Sequence, residues 1–309
     1  MGLFLVVKGA DILISSAVVI GKKYGVSDFF IGLIVIGFGT SLPELLVSID
    51  AIIKKSPEIS IGNVVGSNIS NILLVLGSAL LISKINLRKI SRFDSIFHLF
   101  IHIIFLLIVW LLIFDYKIGI VFLILFTFYI YKSFNNSLSN SENQLETSDF
   151  LTKIIYNKPL IIGLPTIIFS IILTFFGAEF TVDSVIEISN FFGISDSFLA
   201  LTLVALGTSL PEIITSIRAA QKKMSELIIG NIIGSNIYNL LLILGFVSLF
   251  EAFSFPKDIL FFEVIFLFIC TVGFSILLFV KNDLNKKFSL VFITFYCFYL
   301  LKLLLTNFR

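Results

Sequence analysis

Six residues, GTSLPE, fill positions 39–44 and return unchanged at 207–212, an offset of 168. Each copy places a glycine, two hydroxyls, a proline and a glutamate inside an apolar run. Pro43 and Pro211 lack an N–H and crowd the preceding turn, so both helices should break there. The carbonyls freed around Thr40 and Thr208 then need partners. Glu44 and Glu212 put carboxylates in apolar surroundings, at a cost of several kcal/mol unless they are compensated. A hard cation meets both needs, because it takes carboxylate and carbonyl oxygens. A proline kink beside a protonated glutamate would explain one such motif. Two copies at matching positions favour a cation site.

A second motif keeps the same offset: GNVVGSNISN at 62–71 matches GNIIGSNIYN at 230–239. Gly62, Gly66, Gly230 and Gly234 permit unwound or closely packed backbone. Neutral oxygen ligands come from Ser67, Asn71, Ser235 and Asn239, each pair one helical turn apart on one face. Asn63, Asn68, Asn231 and Asn236 read at least in part as polar glue between helices. Two carboxylates with many neutral oxygens, and no cysteine or histidine, suit Ca²⁺ or Na⁺ and disfavour zinc or copper. Two negative charges match one Ca²⁺.

The elements that position these groups follow from composition. The 309 residues are 58% hydrophobic and 14% charged, with mean hydropathy +1.08. A typical globular chain carries about 25% charged residues. The chain therefore reads as an all-α polytopic membrane protein, and a water-exposed enzyme or nucleic-acid binder is excluded. A span needs roughly 20 apolar residues. Ten are expected, at 2–21, 28–53, 59–82, 93–114, 118–132, 159–180, 196–217, 226–250, 259–280 and 288–306. The polar stretch 133–158 reads as a mobile linker between residues 1–132 and 159–309. Between 37–77 and 205–245, 24 of 41 positions are identical. Five spans per half is an odd number, so the second half should insert upside down, as two inverted five-helix repeats. The second half has an apolar lead-in, 159–169, that the first half lacks, so the first helix is expected to be short or to want about ten residues.

Lysine and arginine bias sets orientation. With the N-terminus outside, cytoplasmic segments hold 15 of them and outer segments 6. Both termini are expected outside a cell membrane. A cleaved leader is not expected, because Lys8 and Asp11 interrupt the first apolar run. Cys270 and Cys297 give neither a disulfide framework nor a metal spacing.

GFGTSLPE and ALGTSLPE, each followed by GNxxGSNI, resemble the alpha repeats of the sodium/calcium exchanger family within the cation/calcium antiporter superfamily. The resemblance covers nearly the whole chain and is closest to compact prokaryotic members, since the linker has no room for the calcium-sensing domains of animal exchangers. It implies exchange of about three Na⁺ for one Ca²⁺ by alternating access, with the first and sixth helices sliding over a fixed core. It implies ligands at Gly37, Thr40, Ser41, Glu44, Ser67 and Asn71, and at Ala205, Thr208, Ser209, Glu212, Ser235 and Asn239. Backbone carbonyls serve at Gly37, Thr40, Ala205 and Thr208, and side chains elsewhere. Two departures stand out. Gly37 replaces an expected alanine, and Asn239 replaces the aspartate of many exchangers, which removes one titratable group.

No cofactor, nucleotide or nucleic acid is expected; Na⁺ and Ca²⁺ are the substrates, the bilayer is the surroundings, and the monomer is the expected functional unit. Rival readings are a Ca²⁺/H⁺ antiporter, since paired intramembrane glutamates can carry protons, a cation channel, and an intramembrane enzyme. A fully lined charged cage binds too well for fast conduction. No nucleophile or water-activating arrangement stands out for an enzyme. His98 and His102, one turn apart near Asp94, read as interfacial or packing residues rather than a metal pair. Asp11 and Glu179, also matched in the repeat, read better as partners of cations than as a vestibule lining. The abundant phenylalanine reads as lipid-facing bulk. An engineered cysteine at Ser141, in an otherwise cysteine-free chain, should resist an impermeant thiol reagent in intact cells; labelling there would reverse the orientation.

Overall fold

A computed structural model describes residues 1–111, 114–138, 150–191, 207–253 and 257–307. Helix α1 spans Gly2–Lys23. A broken pair follows, α2 (Asp28–Thr40) and α3 (Leu42–Ile53), bent by 43°. Next come α4 (Ile59–Ile82), α5 (Arg92–Leu111) and α6 (Tyr116–Leu138). A short α7 (Phe150–Asn157) precedes the long α8 (Leu164–Phe191). The chain continues with α9 (Leu210–Gln221), α10 (Ser225–Val247), α11 (Lys257–Val280) and α12 (Lys286–Asn307). Two-residue strands β1 (Ile85–Asn86) and β2 (Asp283–Leu284) pair antiparallel and tie α4 to the start of α12.

Among the described residues seven helices are long and apolar enough to cross a membrane, or eight with the broken pair. The surface is apolar: Phe128, Phe169, Phe279 and Phe298 are all exposed. Buried positions hold hydroxyls, amides and carboxylates. In water that distribution would be unfavourable; in lipid, polar groups belong inside with their partners. The first half of the expected 196–217 span, 196–206, lies outside the described residues.

The α2/α3 break sits where Pro43 was expected to put it. Ser41 separates the two segments, and Pro43 occupies the first turn of α3, where a missing N–H costs nothing. Pro211 takes the equivalent place in α9. The expected linker start is corrected. The fifth helix does not end at 132 but runs to Leu138, because Ser133 and Ser137 face inward. Ser133 donates to Asp94 Oδ1 at 2.9 Å and Ser137 Oγ accepts from the Ser27 N–H at 3.1 Å. Residues 150–157 are also helical.

The two helices carrying GNxxGSN lie at the centre, and α10 is almost wholly buried. It packs backbone to backbone on α2: a Cβ built on Gly230 would stand 2.1 Å from the Phe29 carbonyl oxygen. Helix α1 runs against α8 with the same closeness, a Cβ on Gly177 falling 2.7 Å from the Val6 nitrogen. Gly230→Leu should therefore force α2 off α10 and destabilise the fold by roughly 1–3 kcal/mol. Thermal unfolding in detergent would measure it. Gly273→Ala, where an added Cβ meets nothing within 4 Å, should leave the midpoint unchanged or slightly higher.

Candidate ion-binding site

The broken helix and α9 bring the two glutamates into one polar cluster. Glu44 and Glu212 are each 1% exposed. Ser67 Oγ lies 3.4 Å from Glu44 Oε1, and Ser41 Oγ lies 3.3 Å from Glu212 Oε1. Thr208 reaches the Glu44 carboxylate and Thr40 reaches that of Glu212, so each glutamate is met by a hydroxyl from the other motif. The Thr40 hydroxyl also donates to the Ile36 carbonyl at 2.9 Å. Ser235 Oγ approaches the Gly37 carbonyl oxygen at 3.5 Å. The contacts of Ser41, Ser67 and Ser235 are long, at the outer limit of hydrogen-bond geometry.

Asparagines hold this cluster in place. Asn63 Nδ2 donates to the Glu44 carbonyl at 2.9 Å and to Ser48 Oγ at 3.0 Å. Its counterpart Asn231 donates to Ser216 Oγ at 3.1 Å. Asn71 Nδ2 donates to Asn236 Oδ1 at 3.0 Å, and Asn239 Nδ2 donates to Asn68 Oδ1 at 2.9 Å. Each of these pairs has its match 168 positions away.

Five buried oxygens of the two motifs have no hydrogen-bond partner: Glu44 Oε2, Glu212 Oε2, Asn71 Oδ1, Asn239 Oδ1 and Ser209 Oγ. An unpartnered buried polar atom normally costs about 1–3 kcal/mol. Five together, all able to accept and two of them anionic when ionised, form a donor set for a hard cation. Among the described residues no group of three His, Cys, Asp or Glu suits a softer metal.

A family model described as sodium/calcium exchanger protein matches residues 1–135 and 162–305. The chain belongs to the sodium/calcium exchanger family. It is 32% identical to the sodium/calcium exchanger MaX1 of Methanosarcina acetivorans, over 98% of this chain and 96% of that one. It is 36% identical to an uncharacterized membrane protein of Methanocaldococcus jannaschii, over 77% and 76% of the two chains. Among solved structures, the sodium-calcium exchanger NCX_Mj, soaked with Na⁺, superposes at TM-score 0.82 and 32% identity, covering 96% of this chain and 94% of that one. This member of the exchanger family is thus a multi-pass membrane transporter and not an enzyme.

Of the residues singled out in the exchanger's sequence, Gly37, Thr40, Ser41, Glu44, Ser67, Thr208, Glu212 and Ser235 meet in one network. Asn71 and Asn239 pair with Asn236 and Asn68 and lie four residues beyond Ser67 and Ser235 in the chain. Ser209 is buried nearby in sequence, beside the Pro211 break. Ala205 lies outside the described residues. The glycine at 37 has a local reason: a Cβ there would stand 3.2 Å from the Ser235 nitrogen, tighter than most real contacts.

The π-turns were not read from the sequence. Asn71 and Asn239 lie in π-helical turns, Asn71–Val75 and Tyr238–Ile243, a geometry common at functional sites that the asparagines alone did not signal. Asp11 takes a bidentate ion pair with Arg218, through Nε at 2.8 Å and through Nη2, so its cation sits at the end of α9 and pins α1 to it. Glu179 instead is exposed and lines a cleft of about 250 Å³ with Pro43, Val47 and Thr208, the vestibule placement. His98 and His102 are fully buried, not interfacial. Arg218→Gln should remove the clamp on α1 and raise the reactivity of an engineered cysteine at Ser15, next to the Lys222 contact; unchanged labelling kinetics would show that the pair holds nothing shut.

Proposed function

We propose that the chain is a secondary active antiporter that carries Ca²⁺ out of the cytoplasm against Na⁺ entry, by alternating access. The observation that carries this reading is the pair of buried glutamates sharing hydroxyls from both motifs, each with its second oxygen unpartnered. We assign the ion ligands to Gly37, Thr40, Ser41, Glu44, Ser67 and Asn71, with Ala205, Thr208, Ser209, Glu212, Ser235 and Asn239 opposite. Glu44 and Glu212 neutralise one Ca²⁺; several Na⁺ spread over the same oxygens replace it. The names of MaX1 and NCX_Mj support Na⁺ as the counter-ion.

In this reading the chain forms ten spans in two inverted repeats, the first closing with α6 at Leu138 and the second opening with α8, joined on the cytoplasmic side, with both termini outside. The Asp11–Arg218 pair then lies toward the cytoplasm and the Glu179 cleft toward the outside. One path is clamped while the other is open, as alternating access requires. Helices α1 and α8, paired through Gly177, are suited to move together against the buried α4 and α10. The cage is complete within one chain, so a monomer suffices.

Either glutamate changed to glutamine leaves one negative charge against a divalent ion. At an effective dielectric of about 20, one such contact at ~4 Å is worth up to about 4 kcal/mol before relaxation. Glu44→Gln and Glu212→Gln should each lower Ca²⁺ exchange by orders of magnitude, and near-normal exchange by Glu212→Gln would mean the site is elsewhere. The deciding measurement is ⁴⁵Ca flux in proteoliposomes, with potassium and valinomycin setting the voltage. An imposed Na⁺ gradient should drive it, and inside-negative potential should speed Ca²⁺ export. Because Asn71 and Asn239 are neutral at all pH, Asn239→Asp should add an acid-sensitive component that the parent lacks. Flux indifferent to voltage and driven equally by a pH gradient would make the chain a Ca²⁺/H⁺ antiporter.

A further inference from the structure

His98 stands on α5, outside both motifs, yet it is fully buried and its Nε2 lies 3.2 Å from Asn236 Nδ2. Asn236 Oδ1 in turn accepts from Asn71 Nδ2 at 3.0 Å, and Asn71 Oδ1 is left buried and unpartnered. A primary amide keeps its shape when turned over, exchanging a donor for an acceptor. Only its partners decide which end faces the ion.

The two arms of the cluster differ in what makes that decision. On the Asn239 arm, Asn68 Nδ2 donates to the Asn236 backbone carbonyl at 3.3 Å. A carbonyl can only accept, so Asn68 must turn its NH₂ there and its oxygen to Asn239 Nδ2. Asn239 then has only its oxygen left for the cage. On the Asn71 arm the terminal partner is an imidazole, whose Nε2 accepts in one tautomer and donates in the other. His98 Nδ1 has no partner, so Nε2 is the ring nitrogen that a neighbour holds. With Nε2 protonated, His98 would donate to Asn236 Oδ1, Asn236 would turn its NH₂ to Asn71, and Asn71 would present an NH₂ to a cation.

We propose that His98 is a positioning residue: as the Nδ1–H tautomer it accepts from Asn236 and thereby fixes the Asn71 amide with its oxygen toward the ion. The proposal rests on the ligand assignment above. His102 donates its own Nδ1–H to the His98 carbonyl at 2.8 Å, which holds the neighbouring ring, and Phe274 packs edge-on against His98 with ring centroids 5.8 Å apart. Neither competes for Nε2.

Two measurements test it. The chain has only 2 histidines, so ¹⁵N-histidine-labelled protein in lipid gives signals from two imidazoles, with that of His98 identified by its loss in His98→Gln. A bare Nε2 and protonated Nδ1 at His98 is expected; a protonated Nε2 would overturn the proposal. In ⁴⁵Ca flux, His98→Leu removes the acceptor and should raise the KM for Ca²⁺ by roughly tenfold, the loss of about one oriented ligand, with kcat little changed. His98→Gln, which keeps an acceptor, should stay near the parent. In an Asn71→Asp background, where a carboxylate shows oxygen on both sides, His98→Leu should add no further rise. An equal rise in both backgrounds, or none in the parent, would overturn the relay. The tautomer measurement needs no transport, so it decides the relay even if flux fails to show Na⁺-driven exchange.

Discussion

Glu44 and Glu212 share one buried cluster, and both must be kept out of lipid and away from bulk water while staying able to hold charge. Two carboxylates brought into one cluster repel when both are charged. What makes the arrangement tolerable is the set of oxygens and hydroxyls around them. Ser67 and Thr208 face Glu44, while Ser41 and Thr40 face Glu212. Each glutamate is served by both motifs, so neither half holds a finished site alone.

That constraint accounts for much of the backbone. The hydroxyls of Thr40 and Ser41 stand where the helix is interrupted, just ahead of Pro43 at a 43° bend. The central helices must come close enough for amides to meet across the interface, and Gly230 against Phe29 allows that approach. The π-turns at Asn71 and Asn239 turn the amides where a regular helix would carry them past. Apolar side chains fill the rest of the interior, Phe105, Phe114, Phe122 and Phe274 among them, and others, such as Phe128 and Phe298, cover the outside.

The periphery is organised around access to this cluster. Arg218, near the end of α9, grips Asp11 at the middle of α1, whereas Glu179, its match in the other half of the sequence, lies exposed along a cleft that Thr208 also lines. Residues related by the repeat are therefore in different environments.

The paired motifs were enough to name the glutamates, the hydroxyls and the asparagines, because an apolar chain tolerates such groups only where function needs them. They were also enough to expect the helix break, since proline removes a donor in any context. Hydrogen-bond direction was beyond their reach. Asn68 and Asn236 read as glue, and they are, but which end of each amide faces its partner depends on residues far away in the chain. Asn236 meets His98 from 138 positions off and Asn71 from 165. His98 itself, one turn from His102, looked like a packing residue, and nothing in local spacing points it at Asn236. The same holds for the polar end of α6: Ser133 reads as linker until Asp94 of α5 is seen to accept its proton. Residue type fixes what a side chain can offer. Only the packed helices settle which partner takes the offer, because that choice is made by contacts between segments that the sequence keeps apart.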